Sequence, residues 1–162
     1  MTALSLVNSE FVALIDDCDF HRISRFRWKV RSIQGKIRTL RYAYAFITIN
    51  KKQQTLFLHH AIVGKARKPL VIDHKDRDGL NNQKHNLRKC TRSQNQANRI
   101  SHRKFKGVWT RRRKVTRPWR ANIQVNGKAI NLGNYSTEIE AAKAYNEGAL
   151  KYFGEFALLN KL

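Results

Sequence analysis

Between positions 41 and 49 the chain reads Arg-Tyr-Ala-Tyr-Ala-Phe-Ile-Thr-Ile, so aromatic and hydroxyl-bearing positions alternate with small or branched apolar ones. A period of two predicts a strand, and apolar residues in both sets predict one covered on both faces. Phe11 to Ile15 and Phe26 to Val30 are shorter apolar runs of the same kind. Asn50-Lys51-Lys52 predicts a turn, and Gln53 to Leu58 a returning strand. Residues 1–58 thus predict a β-rich region. Its Asp16-Asp17 pair reads as a polar turn after a strand.

The pattern changes at residue 59. Residues 59–104 are polar, rich in His, Asn, Asp and Arg and poor in aromatics, and 101–106 read as a basic linker. Regular patterning returns at 107–162. Trp119 to Val125 alternates, with Trp119, Ala121, Ile123 and Val125 on one face and Arg120, Asn122 and Gln124 on the other. Asn126-Gly127 is a two-residue hairpin signal. Counting outward from it pairs Ile123 with Ile130, Asn122 with Asn131 and Ala121 with Leu132. The polar face then carries Arg120, Asn122, Gln124 and Asn131, side chains able to make paired hydrogen bonds to base edges in a major groove. Thr137-Glu138-Ile139-Glu140 fits a capping box, and a helix over 138–153 follows.

The polar middle carries the candidate chemistry. Val71-Ile72-Asp73-His74 predicts a buried strand that delivers Asp73 and His74 to its end. A loop through Gly79, Asn81 and Asn82 follows, then a short strand over Asn86 to Thr91 and a helix over Ser93 to Arg99. A carboxylate and an amide oxygen suit a hard divalent cation and leave room for phosphate and water. Asp73 and Asn95 can supply those two ligands. An imidazole beside them can take a proton from water near neutral pH, which makes His74 the candidate general base for phosphodiester hydrolysis. Strand neighbours face opposite ways, so a twist or bulge is expected to bring Asp73 and His74 to one site.

Charge names the class of partner. The chain has 33 Lys and Arg against 11 Asp and Glu, a net +22. The basic excess is spread along the chain, with 10 basic and 4 acidic residues in 1–55, 12 and 3 in 56–104, and 11 and 4 in 105–162. Such a surplus calls for a polyanion along a long track. No apolar run approaches the ~20 residues of a spanning helix, and the start lacks the basic stretch of a signal peptide, so nucleic acid is preferred to membrane. Cys18 and Cys90 form no Cys-x-x-Cys pattern; they read as buried apolar residues in a reduced, cytoplasmic setting.

The series Asp73-His74, Asn86-Leu87-Arg88, Thr91, Asn95 and Asn98 resembles the HNH, or ββα-metal, endonucleases. The nearest type is the phage homing endonucleases in which Asn replaces the last His. The resemblance implies that His74 is the general base, that Asp73 and Asn95 hold one Mg2+ or Mn2+ ion, and that Asn86 pins the loop. Leu58-His59-His60-Ala61-Ile62 resembles a stretch that precedes the core in this subgroup, with His60 where Arg is usual. His59 and Arg88 are further candidate DNA contacts, whereas His85 and His102 match no catalytic position and read as surface residues.

Residues 107–162 resemble the Apetala-two/ethylene-response-factor DNA-binding domain through Lys106 to Trp109, Trp119 to Ile123, Asn131 to Thr137, Glu140 to Asn146 and Leu158 to Asn160. That resemblance implies a three-stranded sheet in the major groove, with Trp109, Arg111, Arg113, Trp119 and Arg120 as contacts. Trp109 stands where Arg is frequent.

The expected fold class is α+β: a β-rich region (1–58), a ββα-metal core (59–99), the linker (101–106), and a small three-stranded antiparallel sheet with one helix (107–162). The expected function is metal-dependent cleavage of double-stranded DNA at a target sequence by a monomeric, free-standing phage homing endonuclease. The rivals are a DNA-binding regulator with a vestigial HNH fold and an RNA-binding protein. A groove-reading ribbon favours DNA over RNA, because the A-form major groove does not admit it.

Overall fold

The computed structural model describes residues 1–7, 9–35, 37–111 and 115–162. It is a mixed α and β structure of small antiparallel sheets and few helices. Two compact units divide it, Met1–Cys90 and Thr91–Leu162. No helix among the described residues is long and apolar enough to cross a membrane.

The first unit opens with β1 (Thr2–Ser5) and β2 (Val12–Ile15), which pair antiparallel, and a short helix α1 (Phe20–Ile23) follows. Next comes the meander β3 (Lys29–Gln34), β4 (Thr39–Ile49) and β5 (Lys52–Phe57). Asn50 and Lys51 take positive φ at the β4–β5 turn, which brings Ile49 opposite Lys52. Helix α2 (Leu58–Val63) leads to a two-stranded ladder, β6 (Val71–His74) against β7 (Leu87–Cys90).

Ala43 and Ala45 of β4 are buried in one core with Ile15, Ile23, Trp28 and Leu58. The small alanines let the sheet lie close to Trp28, whose indole N–H donates to Ile23 O at 2.8 Å. Two expectations are corrected here. β4 is covered on both faces only at its start, where Tyr42 lies against His74 and Gly79; further along, Tyr44 is half-buried and Phe46 and Thr48 are exposed. The apolar run from Phe26 lies mostly before its strand, because Trp28 turns into the core and pairing begins at Lys29.

The second unit begins with helix α3 (Arg92–Ala97), whose capping box Thr91 closes onto Gln94. β8 (Val108–Thr110), β9 (Trp119–Val125) and β10 (Lys128–Tyr135) form a three-stranded antiparallel sheet with β9 central, and α4 (Glu138–Phe153) follows its own capping box at Thr137. Ala141, Ala142, Tyr145 and Ala149 of α4 are buried against Ala121 and Ile123 of β9. Phe105 joins this core, and Lys106 Nζ donates to the carbonyls of Gln96 at 3.3 Å and Arg99 at 2.8 Å, and to that of Ala97.

Asn126 and Gly127 have φ of 50° and 80°, as a tight hairpin requires, and Ile123–Ile130 and Asn122–Asn131 pair as counted. The next expected pair is corrected. A register shift between Asn131 and Gly133 sets Ala121 opposite Gly133 instead of Leu132. Of the two cysteines, Cys90 is buried and Cys18 is exposed, so Cys18 is not the core residue expected.

Candidate active site

Asp73 and His74 lie at the end of β6, both buried. The ladder beside them is regular, with Asp73 opposite Arg88 and His74 opposite Leu87, and no bulge intervenes. Adjacent strand residues point to opposite faces. The two side chains accordingly have different neighbours within this ladder, and of the expected twist or bulge no bulge lies within its four pairs.

On one face, Arg88 Nε and Nη2 both stand 3.0 Å from Asp73 Oδ2. Two charges at this burial are tolerated only because they neutralise each other. On the other, His74 Nε2 is 3.4 Å from Asn82 Oδ1. Asn82 is fully buried, and its amide donates to Gly79 O at 3.3 Å. With the amide oxygen accepting, the proton sits on Nε2 and the basic lone pair on Nδ1. Burial lowers the His74 pKa below the usual imidazole value, against opposing contributions from Asn82, Asp76, Asp73 and Asp78. The ring is therefore neutral at physiological pH, the form a general base needs.

Aromatic side chains wall this face. His59 meets His74 at right angles, centroids 5.3 Å apart, and Tyr42 lies 6.0 Å from His74 and 6.3 Å from His59. Phe57 stacks on His59 at 5.5 Å. Burial, reinforced by the neighbouring His60 and His74, pushes the His59 pKa down to about 3. A neutral ring set among rings is a wall of the site more than an exposed DNA contact.

The loop between β6 and β7 is tied by the side-chain hydrogen bonds of Asp76, Asp78, Asn81, Asn82 and Asn86. Asn86 Oδ1 accepts from Asp76 N at 3.0 Å, and its amide donates to Asp76 Oδ1 at 2.9 Å and to Asn81 O at 2.8 Å. Burial alone would raise the Asp76 pKa, but the bonds from Asp78 N, Asn86 and Asn81, with His74 nearby, hold it below its ordinary value. Gly79 passes so close to β4 that a Cβ would sit 2.3 Å from Arg41 O and 2.6 Å from the Tyr42 ring. β2 clasps the loop from below: Leu14 N donates to Leu80 O and Asn82 N to Leu14 O, both at 2.8 Å. Asp16 accepts from Lys84 N at 2.8 Å, so one half of the acidic pair is a loop anchor.

Tyr42, Asn82 and Asp16 are the residues that sequence reasoning missed. Asn82 offered a weak signal as the second of two asparagines in a turn. The other two owe their roles to contacts across 32 and 68 residues of chain.

In the second unit, Asn95 lies half-buried on α3. Trp109 pairs with Arg120 across β8 and β9, and Asn122 with Asn131 across β9 and β10. Arg120, Gln124 and Asn131 are exposed, and Arg120 Nε donates to Asn131 Oδ1 at 3.3 Å. Arg103 lies over the Trp109 ring, 3.5 Å from its centroid. Arg111 is exposed, and Arg113 falls outside the described residues. Trp119 packs half-buried against the core with Ala121, away from the face that carries Arg120.

Residues 58–97, from the start of α2 to the end of α3, match the HNH endonuclease family. It is also 36% identical over 116 residues to a protein of Acanthamoeba polyphaga mimivirus named uncharacterized HNH endonuclease L560. That similarity covers 70% of this chain and 60% of the viral protein. No solved structure matches.

Proposed function

We propose that the protein is a metal-dependent DNA endonuclease that hydrolyses phosphodiester bonds at a target sequence. The carrying observation is His74: a buried, neutral imidazole next to Asp73, oriented by Asn82, inside the segment that matches the HNH family. In this reading His74 takes a proton from water as its oxygen attacks phosphorus. The P–O bond on the far side breaks, and the leaving oxygen takes a proton from solvent. Asn86 keeps the loop closed around the imidazole.

The residue types proposed as ligands, the buried carboxylate of Asp73 and the amide oxygen of Asn95, are oxygen donors of the kind a hard cation takes. Few protein ligands are normal for Mg2+, which keeps several waters. On the resemblance, Asp73 and Asn95 would hold one Mg2+ or Mn2+ ion, whose charge would stabilise the negative charge that builds on phosphate. The second unit is proposed as the reader, with Trp109, Arg111, Arg120, Asn122, Gln124 and Asn131 toward double-stranded DNA. A free-standing homing role in a phage or related virus, acting as a monomer in the host cytoplasm, is the biological form of this proposal.

A second reading has one observation in its favour. Arg88 already occupies Asp73 Oδ2, and the regular ladder turns His74 to the opposite face. A DNA-binding regulator that keeps a vestigial HNH fold would tolerate that arrangement. Cleavage of long duplex DNA, mapped on each strand, decides between them. Wild type should cut with Mg2+ and stop with chelator, and His74→Ala should be slower by about a hundredfold or more. Equal cutting by both proteins would remove His74 from the mechanism, and no cutting by either would favour the regulator.

A further inference from the structure

The solvent face of the β3–β4–β5 sheet has no place in the reading above. Tyr42, Tyr44 and Phe46 follow one another along it, with Ala43 and Ala45 buried beneath. Phe46 is 47% exposed, and its ring meets Tyr44 edge-on with centroids 5.4 Å apart. On the β3 side the cross-strand neighbours are cationic, Lys29 opposite Tyr44 and Arg31 opposite Tyr42, whereas on β5 Phe57 stands opposite Tyr44 and Thr55 opposite Phe46. Lys29 Nζ sits 5.5 Å from the Phe46 centroid. At the inner end of the row, Tyr42 touches both His74 and His59.

We propose that this aromatic row is a stacking platform for unpaired DNA nucleotides next to the bond to be cut. It rests on the endonuclease reading for the choice of DNA as partner. Three observations carry it. The Tyr44 and Phe46 rings stand 5.4 Å apart, wider than the roughly 3.4 Å rise per nucleotide of a stacked strand, so the row matches bases drawn apart and not a duplex. The alternation of rings with Lys29 and Arg31 gives each base a face and each phosphate a cation, as in proteins that bind single strands. The row is continuous with the candidate base, so a strand lying on Phe46 and Tyr44 runs toward His74. A second copy of the chain is the weaker occupant, because a net charge of +22 sets like charges against each other across such a face.

The platform predicts a preference for DNA with unpaired nucleotides. The test is fluorescence anisotropy with the full-length protein in chelator, where nothing is cut, on a labelled oligothymidylate, a perfect duplex, and the same duplex with a short internal loop. Phe46→Leu and Tyr44→Leu keep the apolar bulk but remove the π face. Each should weaken binding to the oligothymidylate and the looped duplex by about tenfold, leave the perfect duplex unchanged, and be restored by Phe46→Tyr or Tyr44→Phe. Wild-type affinity in both leucine variants would overturn the platform, and so would an equal loss on all three probes. A wild-type dimer in sedimentation that Phe46→Leu dissolves would overturn it as well, since a second copy would then cover the face. The two proposals fail separately: a protein that shows this binding but never cuts with Mg2+ loses the endonuclease reading alone. One that cuts while the leucine variants bind normally loses the platform alone.

Discussion

Arg88 stands directly opposite Asp73 in the β6–β7 ladder and directs two guanidinium nitrogens, each at 3.0 Å, onto one oxygen of its carboxylate. The side chains are 11% and 6% exposed, so neither charge has water to fall back on. Removing the cation leaves a buried carboxylate without its main counter-charge. Arg88→Met should therefore cost about 3 kcal/mol of stability in urea denaturation. Asp73→Asn added to it should return a large part of that loss, because the uncompensated charge is gone. A single variant as stable as wild type would mean that the pair is solvated and that Arg88 is available to a phosphate.

Asn86 closes the loop through one accepted and two donated bonds, a set that only Gln shares, on a side chain one methylene longer. Asn86→Ala should destabilise the protein by about 2 kcal/mol or more by leaving buried groups unpaired. Activity should fall further than folding explains, because Asp76 and Asn81 on the same loop would lose their places. Gly79→Ala is the steric counterpart: its Cβ would meet backbone and ring atoms of β4 at 2.3–2.6 Å. Both are checked by comparing cleavage rates at a temperature where each variant remains folded by circular dichroism.

The elements that local rules govern were legible in the sequence. The Asn126-Gly127 hairpin and the capping box at Thr137 each depend on a few adjacent side chains, whereas the capping box at Thr91 emerged only in the structure. The bulge that sets Ala121 opposite Gly133 was not legible, because Tyr135 folds back on Gly133, its hydroxyl 2.8 Å from where a Cβ would be. The candidate site was legible as a set of residues and not as an arrangement. Asp73, His74 and Asn86 stood out by type and order. The side to which His74 turns depends on Asn82 and on rings from β4 and α2, which only tertiary packing brings there.

His59 makes stability depend on pH in a definite direction. Its pKa is about 3 in the folded protein against 6.5 for a free side chain, so the unfolded chain binds the proton first. The favourable balance is complete above pH 6.5 and is lost as pH falls from there toward 3. One such site contributes up to about 1.4 kcal/mol per pH unit, or about 2 kcal/mol between pH 6.5 and 5. The lowered pKa values of His60 and His74 act in the same direction. Urea midpoints at pH 7 and pH 5 should show this loss, and His59→Phe should flatten it. Carboxylates contribute little in that window, since the lowered Asp19 and Asp76 titrate below 3.8. An unchanged pH slope in His59→Phe would place the ring in contact with solvent.

Arg120 tests the reader. Its Nε is held by Asn131 Oδ1 at 3.3 Å, so the guanidinium is oriented before it meets any partner, and Trp109 lies across from it on the same face. An arginine fixed in this way can present its remaining donors to a guanine edge. If it does, Arg120→Ala should weaken binding to the selected target by about 1–3 kcal/mol and relax the preference at one base pair. Binding to unrelated duplex should fall much less. Asn131→Ala should give a smaller version of the same effect, since it removes the orientation and not the charge. Trp119→Phe, on the core side of the sheet, should change stability and leave the base preference intact. Competition binding against a panel of single-base target variants separates these outcomes. A uniform loss over the whole panel in Arg120→Ala would make this side chain a phosphate contact, leaving Asn122 and Gln124 as the candidate base readers.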